Sequence, residues 1–98
     1  MARIIYANGT EVEVSPKNGT DFQLEELKAV VRGYIEAVYL IRPGEDPTTH
    51  QIMWVNEDGK REQLPLNQKA TEIFRQATGD NTDFIVGDVL ICDYNQVE

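Results

Sequence analysis

Asn8-Gly9 stands between two β-prone runs, residues 3–7 and 10–14, and commits the chain to open on an antiparallel hairpin. The expectation is a tight two-residue turn, because both of its central positions need positive φ and Asn and Gly tolerate that best. Glu11, Val12, Glu13 and Val14 alternate strictly, as a half-buried strand does. Ser15-Pro16-Lys17-Asn18-Gly19 then breaks the pattern as a loop. Asn8-Gly9-Thr10 and Asn18-Gly19-Thr20 match the glycosylation pattern, but both read as turns. Thr20 or Asp21 is expected to cap a short helix with Leu24, Leu27 and Val31 on one face, and Gly33 to end it in a left-handed conformation.

Residues 34–41 are β-branched and aromatic and predict a central strand, with Ile35, Ala37, Tyr39 and Ile41 on one face and Tyr34, Glu36, Val38 and Leu40 on the other. A polar loop follows at 42–47, expected to be the most mobile segment. Residues 51–55 and 60–64 predict a second hairpin around Asn56-Glu57-Asp58-Gly59. Asn67 starts a helix whose stripe is Ala70, Ile73, Phe74 and Ala77, and Gly79 ends it. Apolar runs at 84–86 and 89–92 flank Gly87-Asp88, and the last residues are expected to fray. The order ββαβββαβ implies an α+β fold, one domain over residues 1–98, with two short helices covering a small, largely antiparallel sheet.

Seventeen acidic and nine basic residues leave a net charge of −8. Such a surface repels phosphate backbones, so direct nucleic-acid binding is disfavoured and a partner with a basic surface is favoured. The single cysteine, Cys92, rules out an internal disulfide and fits a reducing compartment. With no apolar run long enough for a membrane span or a signal peptide, the expected setting is the cytosol of a bacterial host.

Gly33-Tyr34-Ile35-Glu36, Val55-Asn56-Glu57-Asp58-Gly59-Lys60, Leu64-Pro65-Leu66-Asn67 and Ile85-Val86-Gly87-Asp88-Val89-Leu90-Ile91 occur in that order. Together they resemble a small phage, plasmid and bacterial family, domain of unknown function 3846. The acidic, proline-bearing segment around 42–49 departs from the family's pattern. The resemblance implies a fold and a mobile-element setting in which small acidic proteins often act against host defence. It carries no chemistry. Most motif residues have structural explanations: Gly33 and Gly59 for positive-φ turns, Asn67 as a cap, Pro65 for the approach to it, Gly87 for a bend. Tyr34 and Glu36 are less easily accounted for. Glu36 is expected on the solvent face, with pairing to Arg32 or Arg61, or a ligand site, as alternatives.

An enzyme needs a nucleophile, a base and an orienting group, or a metal. The one histidine, His50, lies at a polar loop edge, and Cys92 ends an apolar strand, so no catalytic residue, metal or cofactor is expected. Three binding roles remain. The leading one is a non-enzymatic inhibitor that binds the basic surface of a host defence or nucleic-acid-handling protein, using carboxylates such as Glu11, Glu13, Glu57 and Asp58. The second is a sponge for an anionic small molecule such as a signalling nucleotide, using Arg32, Arg42, Lys60 and Arg61 for phosphates and Tyr34, Tyr39 and Trp54 for stacking. The third is an oligomerising structural protein that pairs through Met53 and Trp54 on an edge hairpin. The candidate binding residues are Tyr34, Glu36, Trp54, Glu57, Asp58 and Arg61.

Overall fold

The computed structural model describes residues 2–96. Its regular elements are β1 (Ala2–Ile5), β2 (Glu11–Val14), α1 (Leu24–Val31), β3 (Ile35–Tyr39), β4 (Gln51–Asn56), α2 (Gln68–Thr78) and β5 (Val89–Asp93), with short 3₁₀ turns at Pro47–Thr49 and Tyr94–Gln96. The fold is α+β. The strands form one antiparallel sheet in the order β2-β1-β5-β4-β3. Both helices and five of the six expected strands occur in the expected order, while residues 60–64 form a helical turn where a strand was expected: Glu62 N–H donates to Asp58 O at 2.8 Å and Leu64 N–H to Gly59 O at 3.0 Å.

The most apolar strand, β5, takes the centre, where both of its faces are covered. Val89 and Ile91 face Ala70 and Phe74 of α2, while Leu90 and Cys92 face Leu27 of α1 and Phe22. The two helices therefore lie on opposite faces of the sheet. Strand β3, expected in the centre, is an edge: its own alternation carries Glu36, and among the described residues it pairs with β4 alone. Met53 is fully buried and Trp54 half-buried on the interior strand β4, so they form no exposed apolar patch.

Local chemistry differs from the expectation at five places. The first hairpin closes through a three-residue loop, with Tyr6 N–H donating to Thr10 O (2.8 Å) and Gly9 N–H to Tyr6 O (2.9 Å), and only Gly9 has positive φ. Helix α1 is capped at Gln23, whose N–H is taken by the Glu26 carboxylate at 2.8 Å, while Thr20 and Asp21 are held by the Asn18 side chain in the preceding turn. Leu24 is exposed, and Phe22 fills the position beside Leu27 in the core. Arg32, at φ 62°, takes the left-handed stop expected of Gly33. Gly33 and Gly59 are required by close approach instead: a Cβ would lie 2.7 Å from Asn56 Nδ2 at the first and 2.9 Å from Val86 Cγ2 at the second. Asn67 and Gly79 cap α2 as expected, and Ala70 and Phe74 are buried with Ile73 and Ala77 packed beside them.

Candidate functional site

The geometry of β3 decides what its end of the molecule can do. Glu57 N–H donates to Tyr34 O at 2.9 Å and Leu40 N–H to Gln51 O at 3.1 Å, so with the register the even-numbered residues bond to β4. By the alternation of an antiparallel ladder, the N–H and C=O groups of Ile35, Ala37 and Tyr39 point outward. Among the described residues they meet no partner.

Next to this open edge, on the α2 side, is a recess of about 130 Å³ lined by Glu36, Val38, Val55, Glu57, Lys60, Asp83 and Phe84, among others. Glu36 reaches it because it shares its strand face with Val38, and Glu57 because β4 runs out beside Tyr34. The Lys60 ammonium is held by the Asp83 carboxylate and lies 4.6 Å from the centre of the Phe84 ring. Its hydrogen bond is the main cause that holds the Asp83 carboxyl below its ordinary value, helped by the Phe84 N–H. Lys60 is thus engaged, and among the described residues neither Glu36 nor Glu57 has an ion-pair or side-chain hydrogen-bond partner. Two carboxylates share a recess whose one basic lining residue among the described residues, Lys60, is already paired with Asp83.

Of the six candidate residues, Tyr34, Glu36 and Glu57 come together at this end of the β3–β4 pair. Tyr34 is 66% exposed, with Lys28 Nζ 5.0 Å from its ring. Asp58 and Arg61 sit in the next turn and pair with each other at 2.8 Å. Trp54 lies on the opposite face of the sheet, packed against the α1 side of the core, with its indole N–H buried and unpartnered. The sequence points to Lys60 only as a phosphate contact. Asp83 and Phe84 were missed as site residues, and no local signal could have shown them, since Asp83 lies 23 residues from Lys60. The other acidic pair weighed, Glu11 and Glu13, is partly neutralised: Glu11 meets Arg3 at 3.2 Å and Lys69 at 3.7 Å.

A larger cleft, about 430 Å³, opens where α1 ends, between Tyr6, Arg32, Asn56, Leu64 and Asp88. Of the four cations weighed for phosphate binding, Arg32 alone lines it. Lys60 is held by Asp83, Arg61 by Asp58, and Arg42 reaches the Gln76 carbonyl at 3.4 Å. The four do not converge on one cavity.

His50 is used locally, with Nε2 3.6 Å from a Glu45 carboxylate oxygen and Nδ1 2.9 Å from both Thr49 Oγ1 and Asp46 O. Burial pushes the Cys92 thiol up to about 11. Among the described residues, no group of three or more His, Cys, Asp or Glu side chains is placed to hold a metal ion.

The profile of one protein family, Domain of unknown function (DUF3846), matches residues 1–98. The chain belongs to that family. No curated protein and no solved structure is significantly similar to it. In this DUF3846 chain the 42–49 segment lies in the β3–β4 connection and is ordered by the Asp46 carboxylate, which accepts the N–H (3.0 Å) and hydroxyl (2.8 Å) of Thr48. No helix among the described residues is long and apolar enough to cross a membrane.

Proposed function

We propose that this DUF3846 domain is a non-catalytic acidic binding module that docks on a positively charged surface of a partner protein. One observation carries the proposal: Glu36 and Glu57 line a single recess beside an open strand edge, while Lys60, which lines the same recess, is already bound to Asp83. Unpaired carboxylates at a partly enclosed surface gain most from an incoming cation, since the surrounding protein lowers the effective dielectric. The net charge of −8 adds long-range attraction for such a partner and repulsion from nucleic acid itself.

The narrower form follows from the same chemistry. A host protein that handles nucleic acid keeps a basic face for phosphate, and an acidic module seated there would inhibit it, in the cytosol and without a cofactor. The dispersal of Arg32, Arg42, Lys60 and Arg61 gives less support to a nucleotide sponge.

The test is capture of identified host proteins by the wild type and by the Glu36→Gln/Glu57→Gln double variant at low and high salt. Two rim charges of roughly 0.5 kcal/mol each predict an affinity loss of about fivefold in the variant and a weaker salt dependence. Capture that is insensitive to both salt and substitution would refute the proposal.

A further inference from the structure

Resting on the acidic-module function proposed above, we infer that the partner is held by strand addition: β3 accepts an extended segment as a sixth strand, and a Lys or Arg side chain of that segment enters the recess between Glu36 and Glu57.

The two ends of the sheet differ in a way that singles out β3. At the other end, the outward backbone groups of β2 belong to Glu11 and Glu13, and charged residues on an edge discourage pairing. On β3 the outward groups belong to Ile35, Ala37 and Tyr39, three residues with no charge, no proline and no bulge. They offer three donors and three acceptors in a regular row, which an extended chain can fill with main-chain hydrogen bonds.

The register of such a strand follows from the ladder. If the newcomer runs antiparallel to β3 and bonds to Ile35, Ala37 and Tyr39, Glu36 and Val38 occupy the non-hydrogen-bonded positions, where facing side chains approach most closely. The residue opposite Glu36 points into the recess on the α2 side, towards two unpaired carboxylates and Phe84. An opposite charge there is favoured. Two residues along, the side chain opposite Val38 meets an aliphatic surface. The recognised pattern is therefore a basic residue and an aliphatic one on the same face of an extended segment, one residue between them. A second copy of this chain fits less well, since each would bring its own net charge of −8 and its own Glu36 to the seam.

The experiment uses the full chain and a panel of peptides long enough to span residues 34–40, each carrying Lys-x-Val or its reverse. Amide hydrogen exchange and chemical shifts are read residue by residue. Expected on binding is new protection at Ile35, Ala37 and Tyr39, with Glu36 and Val38 little changed because β4 already holds them. Exchanging the peptide Lys for Glu should weaken binding about tenfold or more, and N-methylating the peptide at the positions that face Ala37 should abolish it, with no change made to the protein. In Glu36→Gln/Glu57→Gln the preference for Lys over Glu should disappear.

Binding that survives N-methylation, or that protects another surface, overturns strand addition while leaving the acidic module standing. If no peptide binds yet host proteins are still captured in a salt-dependent way, strand addition alone fails. If neither occurs, both fail. Protection of Ile35, Ala37 and Tyr39 that grows with protein concentration in the absence of peptide would assign the edge to a second copy, and would also overturn the inference.

Discussion

Asn56 Nδ2 donates to the Val31 carbonyl at 3.1 Å, so the last residue of β4 closes the C-terminal end of α1, 25 residues earlier in the chain. The same side chain accepts the Asp58 N–H at 2.8 Å and so starts the turn that places Glu57 beside the recess. One buried amide ties a helix end, a strand end and the candidate site together.

Asn56→Ala leaves the Val31 carbonyl and the Asp58 N–H without these partners, and is expected to destabilise by about 1–3 kcal/mol in urea unfolding. Gly33→Ala forces a Cβ to within 2.7 Å of Asn56 Nδ2 and should also destabilise. Because that clash is with the amide itself, the penalty for Gly33→Ala should shrink in the Asn56→Ala background, and a double-mutant cycle measures the difference. Strictly additive effects would show that the contact does not couple the two residues.

Asn67 is fully buried and satisfied at both ends: Nδ2 donates to the carbonyls of Ile5 and Gly87, each at 2.9 Å, and Oδ1 accepts the Ala70 N–H at 3.0 Å. Asn67→Ala removes a helix cap and exposes two buried carbonyls to unmet bonding, for a loss of roughly 3 kcal/mol. Asn67→Asp keeps the cap but points a carboxylate oxygen at two carbonyls. It should be at least as destabilising near neutral pH, and thermal unfolding of the two variants side by side checks this.

Tyr34 and Trp54 should respond in opposite ways. Tyr34→Ala removes an exposed ring and is expected to change stability by no more than about 0.5 kcal/mol. Trp54→Ala opens the core on the α1 side and should cost about 3 kcal/mol. Trp54→Phe should be mild by comparison, because the indole N–H it deletes is buried without a partner.

Cys92 is expected to resist thiol reagents in the folded protein, since it is fully buried and burial holds its thiol at about 11. A folded value raised above the unfolded one means that the neutral thiol is favoured by folding. That contribution is complete below the ordinary value of 9.0 and is lost as pH rises from there through about 11. Reagent uptake that tracks unfolding, and a fall in stability over that alkaline window which Cys92→Ala reduces, are the checks.

On the acid side, Glu26 is held below its ordinary value chiefly by the Gln23 N–H, Asp46 by the Thr48 N–H, Asp80 by the Thr82 hydroxyl and Asp83 by Lys60. Depressed carboxyl values stabilise the fold above the ordinary range, near 3.8 for Asp and 4.5 for Glu, and that contribution disappears as pH falls through the lowered values. Unfolding free energy should therefore decline below about pH 4.5, and less steeply in Asp83→Asn.

Local signals were legible wherever a residue acts through its near neighbours. Asn67 bonds three residues ahead, Gly79 closes the turn behind it, and the stripe of α2 repeats at helical spacing, so start, face and end of that helix could be read directly. Gln23 was missed because Thr20 and Asp21 are better caps by residue type, and only the Glu26 carboxylate reaching back makes Gln23 one. At residues 60–64 no local preference separates a strand from a turn, and the choice falls to the packing of Gly59 and Leu64 against Val86 and Gly87. At the candidate site, Glu36 and Glu57 stood out as carboxylates beside a strand, whereas Asp83 and Phe84 enter only when the chain returns after α2.

The order of amino acids by itself determined the α+β class, the antiparallel opening hairpin, the limits of α2 and the acidic balance, because periodicity, turn propensity and charge are properties of short segments. The tertiary structure alone decided that β5 is central and β3 an edge, and that Lys60 is spent on Asp83 while Glu36 and Glu57 are left open. Those outcomes depend on which faces must be buried at once and on which charges meet across long separations, and no segment carries that information before the sheet has closed around its most apolar strand.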